Sequence, residues 1–203
     1  RNPRVLSGEQ GYLEAAQQVT LLEIPTKLDR ADGDVHGEGN PHIQLDPRRL
    51  LEVGKALSSR LQTIDPANAE DYRQHLQRFT SRWQDAIHQW EEQAVTLRGK
   101  RVIVHHQEWI YLLDWLGMQR VGALEPKPGI PPKLAHLAKL KQLPADLIIL
   151  SPLNDPKPSD WLRKQSGTPV VVIPHTVGAV PEAKDLIDWF DEIIRQLSAA
   201  VRQ

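Results

Sequence analysis

The chain has no cysteine. That absence removes disulfides, thiolate metal sites and thiol nucleophiles together, so a transition-metal site here must use nitrogen and oxygen donors. Charge of either sign is not in excess: 25 Lys+Arg stand against 26 Asp+Glu, a formal net charge of −1. This balance gives no electrostatic footprint for nucleic acid or an anionic membrane surface. No apolar run approaches the ~20 residues of a membrane span. The opening "RNPRVLSGEQGYLEAA" lacks the apolar stretch of a signal peptide and reads as the inside of a longer or processed chain. No Gly-rich phosphate loop, G-x-S-x-G elbow or H-E-x-x-H helix occurs.

What is present divides by hydrophobic period. With 203 residues, the chain allows one or two domains and a sizeable core. Residues 1–47 read as turns with one short strand, "VTLLEI" (Val19–Ile24), and hold too few apolar positions for a core of their own. From Pro47 the pattern is helical, with Leu50, Leu51, Val53, Leu57 and Leu61 at helix spacing until Asp65-Pro66 breaks it. A longer helix is predicted from about Ala67 to Leu97. Its stripe runs Tyr72, Leu76, Phe79, Trp83, Ile87, Trp90, Ala94, Leu97 in steps of three or four. About thirty residues at 1.5 Å each span roughly 45 Å.

After Gly99 the pattern alternates. "RVIVHH", "RVGAL", "DLIIL" and "PVVVIP" read as strands; "IYLLDWLG", "PPKLAHLAKLKQL", "PSDWLRKQSG" and the run from Pro181 to Val201 read as helices. Strands that are apolar throughout indicate a parallel sheet covered on both faces, hence a βαβαβαβα unit over residues 99–203. Ligands of open α/β sheets bind beyond the carboxyl ends of the strands. The residues there are His105 and His106 after the first strand, Glu125 after the second, Ser151 and Asn154 after the third, and His175 after the fourth. Histidines and a carboxylate from distant segments thus converge on one sheet edge. A further histidine, His42, lies in the Gly-rich segment "GDVHGEGNPHIQLDP", stiffened by Pro41 and Pro47.

The segments "GNPHIQLDP", "VIVHHQEWIYLLDWLG" and "VGALEPKPGIPP", with the long helix, resemble the zinc/manganese class of solute-binding proteins that feed ABC transporters. The resemblance implies two α/β lobes joined by one rigid helix, with a divalent metal held between them. On this chain it implies an α/β fold. A parallel-sheet βαβαβαβα C-terminal lobe (99–203) is joined by the long helix (67–98) to the remnant of a first lobe (1–66). The ligands it implies are His42 of "NPHIQLDP", His106 with the aromatic Trp109 three residues on, and His175 of "VIPHTVGA". It also implies an ABC-type permease in the membrane as partner, a periplasmic or extracytoplasmic location, and no catalysis.

Three departures from that pattern shape the expectations. Most of the first lobe, with its early histidine ligand, is absent, so a fourth ligand is missing and exposed apolar surface on Leu50, Leu51 and Leu57 is expected to favour self-association. His175 stands where the family often has a carboxylate, and an all-imidazole set favours Zn2+ over Mn2+, which prefers oxygen. The acid-rich loop before "NPH" is short and holds only His36, which is a candidate extra ligand or a solvated residue. Glu125 is expected to orient His106 or His175, or to approach the metal itself. His105 is expected to point to the opposite face of its strand. His75 and His88 are expected on the exposed side of the long helix.

Two other classes fit parts of the pattern. "HHQEW" contains H-x-E, as zinc deaminases do, but their chemistry also needs a P-C-x-x-C segment. A His-based zinc hydrolase would need an open coordination position, with Glu108 or Glu125 as base. A non-transporting metal-binding adhesin of the same fold is a further alternative, because transport depends on partners encoded elsewhere.

Overall fold

The structure, a computed structural model, describes residues 2–25, 37–127 and 129–202. Helix α1 (Pro47–Ile64) begins where Asp46 accepts a hydrogen bond from the Arg48 backbone N–H at 2.9 Å and proline occupies the first helical position. It ends at Asp65-Pro66, because proline offers no N–H to continue the ladder. Helix α2 (Ala69–Gln93) follows, with a 3₁₀ turn at each end (Pro66–Asn68 and Val95–Leu97). Its 25 residues span about 38 Å. It is therefore shorter than the run from 67 to 97 suggests, since both ends of that run tighten into 3₁₀ geometry.

The alternating half forms as its sequence predicts. Strands β1 (Arg101–Val104), β2 (Gln119–Ala123), β3 (Leu147–Leu150) and β4 (Val170–Val172) form one parallel sheet in the order β2-β1-β3-β4. Helices α3 (Ile110–Leu116), α4 (Leu134–Leu140) and α5 (Lys157–Ser166) make the crossovers, and α6 (Leu186–Ala200) closes the chain. The chain leaves β1 to one side for β2 and returns past it to β3 on the other. The carboxyl end of β1 is thus the switch point of the sheet, where a crevice opens between diverging crossovers.

The central strands β1 and β3 are buried on both faces, as their continuously apolar sequences require, while the edge strands β2 and β4 are partly exposed. Val102, Val104, Leu147 and Ile149 pack into one core with residues of α1, α2, α3 and α6. Ile103, Ile148 and Leu150, one step out of phase, pack into a second with Leu137, Leu140 and Leu162 from α4 and α5. The long helix is bound to the sheet domain through an aromatic cluster centred on Phe190 of α6. Its ring centroid lies 5.7 Å from Trp83, 5.1 Å from Trp90, 5.7 Å from Trp115 and 4.9 Å from Trp189. All four indoles also find acceptors: Trp83 on Pro47 O, Trp90 on Asp191, Trp115 on Glu91 and Trp189 on Pro174 O. One continuous core therefore runs from Ile43 and Leu45 through α2 to Leu197.

Two sequence expectations change here. "VTLLEI" is not a strand: Val19 ends a 3₁₀ turn (Ala15–Gln18) and the residues after it are irregular. Among the described residues every strand lies beyond residue 100, so this segment has no ladder to join. Its polar backbone groups are satisfied singly instead. The Leu22 N–H donates to the Tyr111 hydroxyl at 3.0 Å, and the Leu22 carbonyl accepts from Asn40 N–H at 2.8 Å. On α1, Leu57 is exposed as expected, but Leu50 is half-buried against the core and Leu51 is buried, because it faces the long helix and the sheet domain.

Candidate metal centre

Each predicted ligand sits where an element ends. The loop before α1 carries His42, which opens a short 3₁₀ turn (Ile43–Leu45) whose Ile43 and Leu45 are buried. Gly39 has φ +118°, a conformation natural to glycine, and a Cβ there would come within 2.9 Å of Leu21 Cβ. The loop is fixed at its other end by Asp46, wholly buried between Arg48 and Arg49. The Arg49 guanidinium in turn lies 4.8 Å above the Tyr111 ring.

His106 follows β1 at the switch point and precedes a 3₁₀ turn (Gln107–Trp109) leading into α3. Its ring and that of His42 meet edge to face, with centroids 6.4 Å apart. His106 Nδ1 lies 2.7 Å from Glu125 Oε2, which also accepts from Gly129 N–H at 2.9 Å. A carboxylate accepts only, so His106 holds its proton on Nδ1 and its lone pair on Nε2. Glu125 thus lies against the ring nitrogen of His106 that points away from Nε2. His105 does not separate from its neighbour as strand alternation suggests: its buried ring lies with Nε2 3.8 Å from the other Glu125 oxygen. The turn after β2 brings that carboxylate across the end of β1, within reach of both rings. Burial holds the His105 ring below the usual imidazole range, with the Glu125 charge opposing.

His175 lies three residues beyond β4, half-buried. Among the described residues no three His, Asp or Glu side chains stand close enough to hold an ion together. The structure therefore brings the His42 and His106 rings together edge to face and does not bring His175 into a three-residue group with them. His36 lies outside the described residues. His75 and His88 are exposed on α2, as expected. His136, inside α4, has its Nε2 2.9 Å from the Ala123 carbonyl.

The pattern of unsatisfied groups marks the same edge. Among the described residues, four buried side-chain polar atoms have no hydrogen-bond partner: His105 Nδ1, Glu108 Oε1, Trp109 Nε1 and His175 Nδ1. All four belong to the segments that leave the carboxyl ends of β1 and β4. Buried groups left unpaired cost stability and concentrate where function demands them. Burial pushes the Glu108 carboxyl above the usual range, the His106 ring counteracting in part. The donor set at this edge is imidazole and carboxylate, which suits zinc and its first-row neighbours.

Residues that the sequence reading passed over hold the site together. Asn40, two before His42, accepts from the His42 backbone N–H at 3.0 Å, and its Oδ1 lies 2.8 Å from His42 Nδ1. Its amide nitrogen donates to Gln107 O at 3.1 Å and Glu23 at 3.0 Å, and Glu23 pairs with Arg120 at 2.6 Å. The Tyr111 hydroxyl donates to the Asn40 carbonyl at 2.5 Å. The available signal was the Asn-Pro pair, since asparagine commonly accepts from the backbone N–H two residues on.

A family profile described as the zinc-uptake complex component A, periplasmic (ZnuA), matches residues 4–200. The chain belongs to that family. The high-affinity zinc uptake system protein ZnuA of Brucella abortus (strain 2308) is 25% identical over 174 residues, 82% of this chain and 50% of its own length. The protein of the same description from Yersinia pestis is 28% identical over 119 residues, 57% of this chain and 36% of its own length. The chain thus spans half or less of the length of these curated relatives. Among solved structures, a crystal structure of ZnuA matches with TM-score 0.74 and 19% identity, covering 92% of this chain and 69% of that one. The solute-binding protein FpvC of Pseudomonas aeruginosa, in complex with Mn2+, matches with TM-score 0.70 and 19% identity over 85% of this chain and 68% of that one. A mutant of the laminin-binding adhesin Lmb of Streptococcus agalactiae matches with TM-score 0.72 and 17% identity over 93% and 70%. At these identities the three structures establish the family's α/β fold for this chain.

Proposed function

We propose that this chain captures a divalent transition metal, zinc in preference to manganese, as the cargo of an extracytoplasmic uptake system that delivers it to an ABC-type permease. The observation that carries the reading is the facing pair His42 and His106, delivered by separate loops to the switch point of a sheet whose family is that of zinc-uptake component A. Both rings lie with Nδ1 against an oxygen acceptor, so each would meet the ion through Nε2. His175 completes the proposed ligand set from the end of β4. Its buried Nδ1 without a partner supports that role, and reaching the pair requires a closing movement when the ion binds. The chemistry is capture without turnover: imidazoles hold the ion, and nothing in the cargo is broken or formed.

In this reading residues 1–66 correspond to the closing part of a first lobe, 67–98 to the linking helix and 99–203 to the second lobe. A second copy is proposed to cover the apolar groove between α1 and α2, lined by Leu50, Val53, Leu57, Leu61, Leu76 and Phe79; light scattering would detect the dimer and a strict monomer would refute it. The site is tested by calorimetric zinc titration. His42→Ala and His106→Ala should each weaken zinc binding strongly, His175→Ala measurably, and His75→Ala and His88→Ala not at all. Unchanged affinity in His106→Ala would overturn the ligand set.

A further inference from the structure

We propose that Asn40 is a positioning residue that selects the nitrogen His42 offers to the metal and, through the other end of its amide, ties that choice to the loop carrying His106. An asparagine amide can be turned either way round, so its backbone partners must settle it. Here they do. Oδ1 lies 3.0 Å from the His42 N–H, which can only donate, and Nδ2 lies 3.1 Å from the Gln107 carbonyl, which can only accept. The reverse orientation would set two donors against each other at one end and two acceptors at the other. With Oδ1 fixed as the acceptor, His42 Nδ1 at 2.8 Å must carry the proton. A neutral ring then has its lone pair on Nε2, the nitrogen it would offer to a metal.

The surroundings hold the amide rigidly. Asn40 is 9% exposed, and its backbone N–H and carbonyl are taken by the Leu22 carbonyl and the Tyr111 hydroxyl. Glu23, the second acceptor for Nδ2, has φ +53°, a left-handed conformation that a non-glycine residue rarely adopts. That geometry is retained with the Glu23 carboxylate spanning Asn40 and Arg120. The amide is thus a clamp between the two loops that carry the facing imidazoles, since Gln107 is the neighbour of His106. Loss of such an orienting partner typically lowers metal affinity 10–100-fold.

The inference rests on the metal-binding reading, and its test separates the two. Long-range proton–nitrogen NMR of the full, metal-free chain reads which ring nitrogen of His42 bears the proton. The expected result is Nδ1–H in the unsubstituted chain, a mixture of tautomers in Asn40→Ala, and return of Nδ1–H in Asn40→Asp, which keeps the oxygen facing the ring. Zinc affinity, measured by competition with a chromophoric chelator, should fall about 10–100-fold in Asn40→Ala. A residue that merely supports the fold would affect stability in both variants without this tautomer pattern. Nε2–H in the unsubstituted chain, or Nδ1–H persisting in Asn40→Ala, would overturn the proposal. So would failure of Asn40→Asp to restore Nδ1–H, a variant that keeps the test open if Asn40→Ala does not fold. Expected tautomers in an unsubstituted chain that takes up no zinc would instead overturn the metal-binding reading and, with it, any role of Asn40 toward the ion.

Discussion

Removing one oxygen atom, in Tyr111→Phe, tests how the ligand loop is held to the sheet domain. The Tyr111 ring is fully buried on α3, and its hydroxyl accepts from the Leu22 N–H and donates to the Asn40 carbonyl. Phenylalanine keeps the ring and its packing, including the surface beneath Arg49. What it removes is the partner of two backbone groups. An orphaned buried polar group costs about 1–3 kcal/mol. The Asn40 carbonyl is enclosed and falls in that range, whereas the Leu22 N–H is only part-buried and can recover some solvation. The sum is about 2–3 kcal/mol, which for a domain of this size lowers the melting temperature by about 5–10 °C. Because Asn40 holds His42, zinc affinity should fall in the same variant. Thermal unfolding with and without zinc measures both effects, and zinc should stabilise Tyr111→Phe less than it stabilises the parent. A melting temperature within about 1 °C of the parent would refute the accounting, since no buried group could then have lost its partner.

The remaining predictions concern what holds the rest of the fold. Phe190→Ala should cost about 3–5 kcal/mol in denaturant unfolding, because the ring touches four indoles at the junction of α2, α3 and α6 and the void cannot close around it; a loss under about 1 kcal/mol would mean that α2 is not bound to α6 through this cluster. Asp146 gives a pH signature. Hydrogen bonds from the Arg101 side chain and backbone N–H hold its carboxyl below the usual range, so its stabilisation is present above the unfolded value near 3.8 and is lost as pH falls through the lower folded value. Urea midpoints of Asp146→Asn should therefore lie below those of the parent at neutral pH and converge with them under strong acid, and a gap that stays constant with pH would count against the pair.

Much of the architecture was legible in the sequence because it is recorded locally. Absence of cysteine restricted the donor chemistry before any fold was known, and the change of period after Gly99 marked four strands and four helices that all form. Helix limits followed from Asp46-Pro47, Asp65-Pro66 and Gly117, which takes the left-handed C-terminal conformation. Where local pattern misled, partners at a distance decided. "VTLLEI" has the composition of a strand, yet its Leu22 N–H is taken by a hydroxyl 89 residues away. The pairing order β2-β1-β3-β4, which makes the end of β1 the switch point, depends on how the crossovers pack and has no local signature. The same holds for the contact between His42 and His106, for Glu125 reaching both His105 and His106, and for the Asn40 amide between two loops. Periodicity reports which face of an element is buried. Hydrogen bonds between loops depend on the relative position of whole elements, which is fixed only once the shared core from Ile43 to Leu197 has closed.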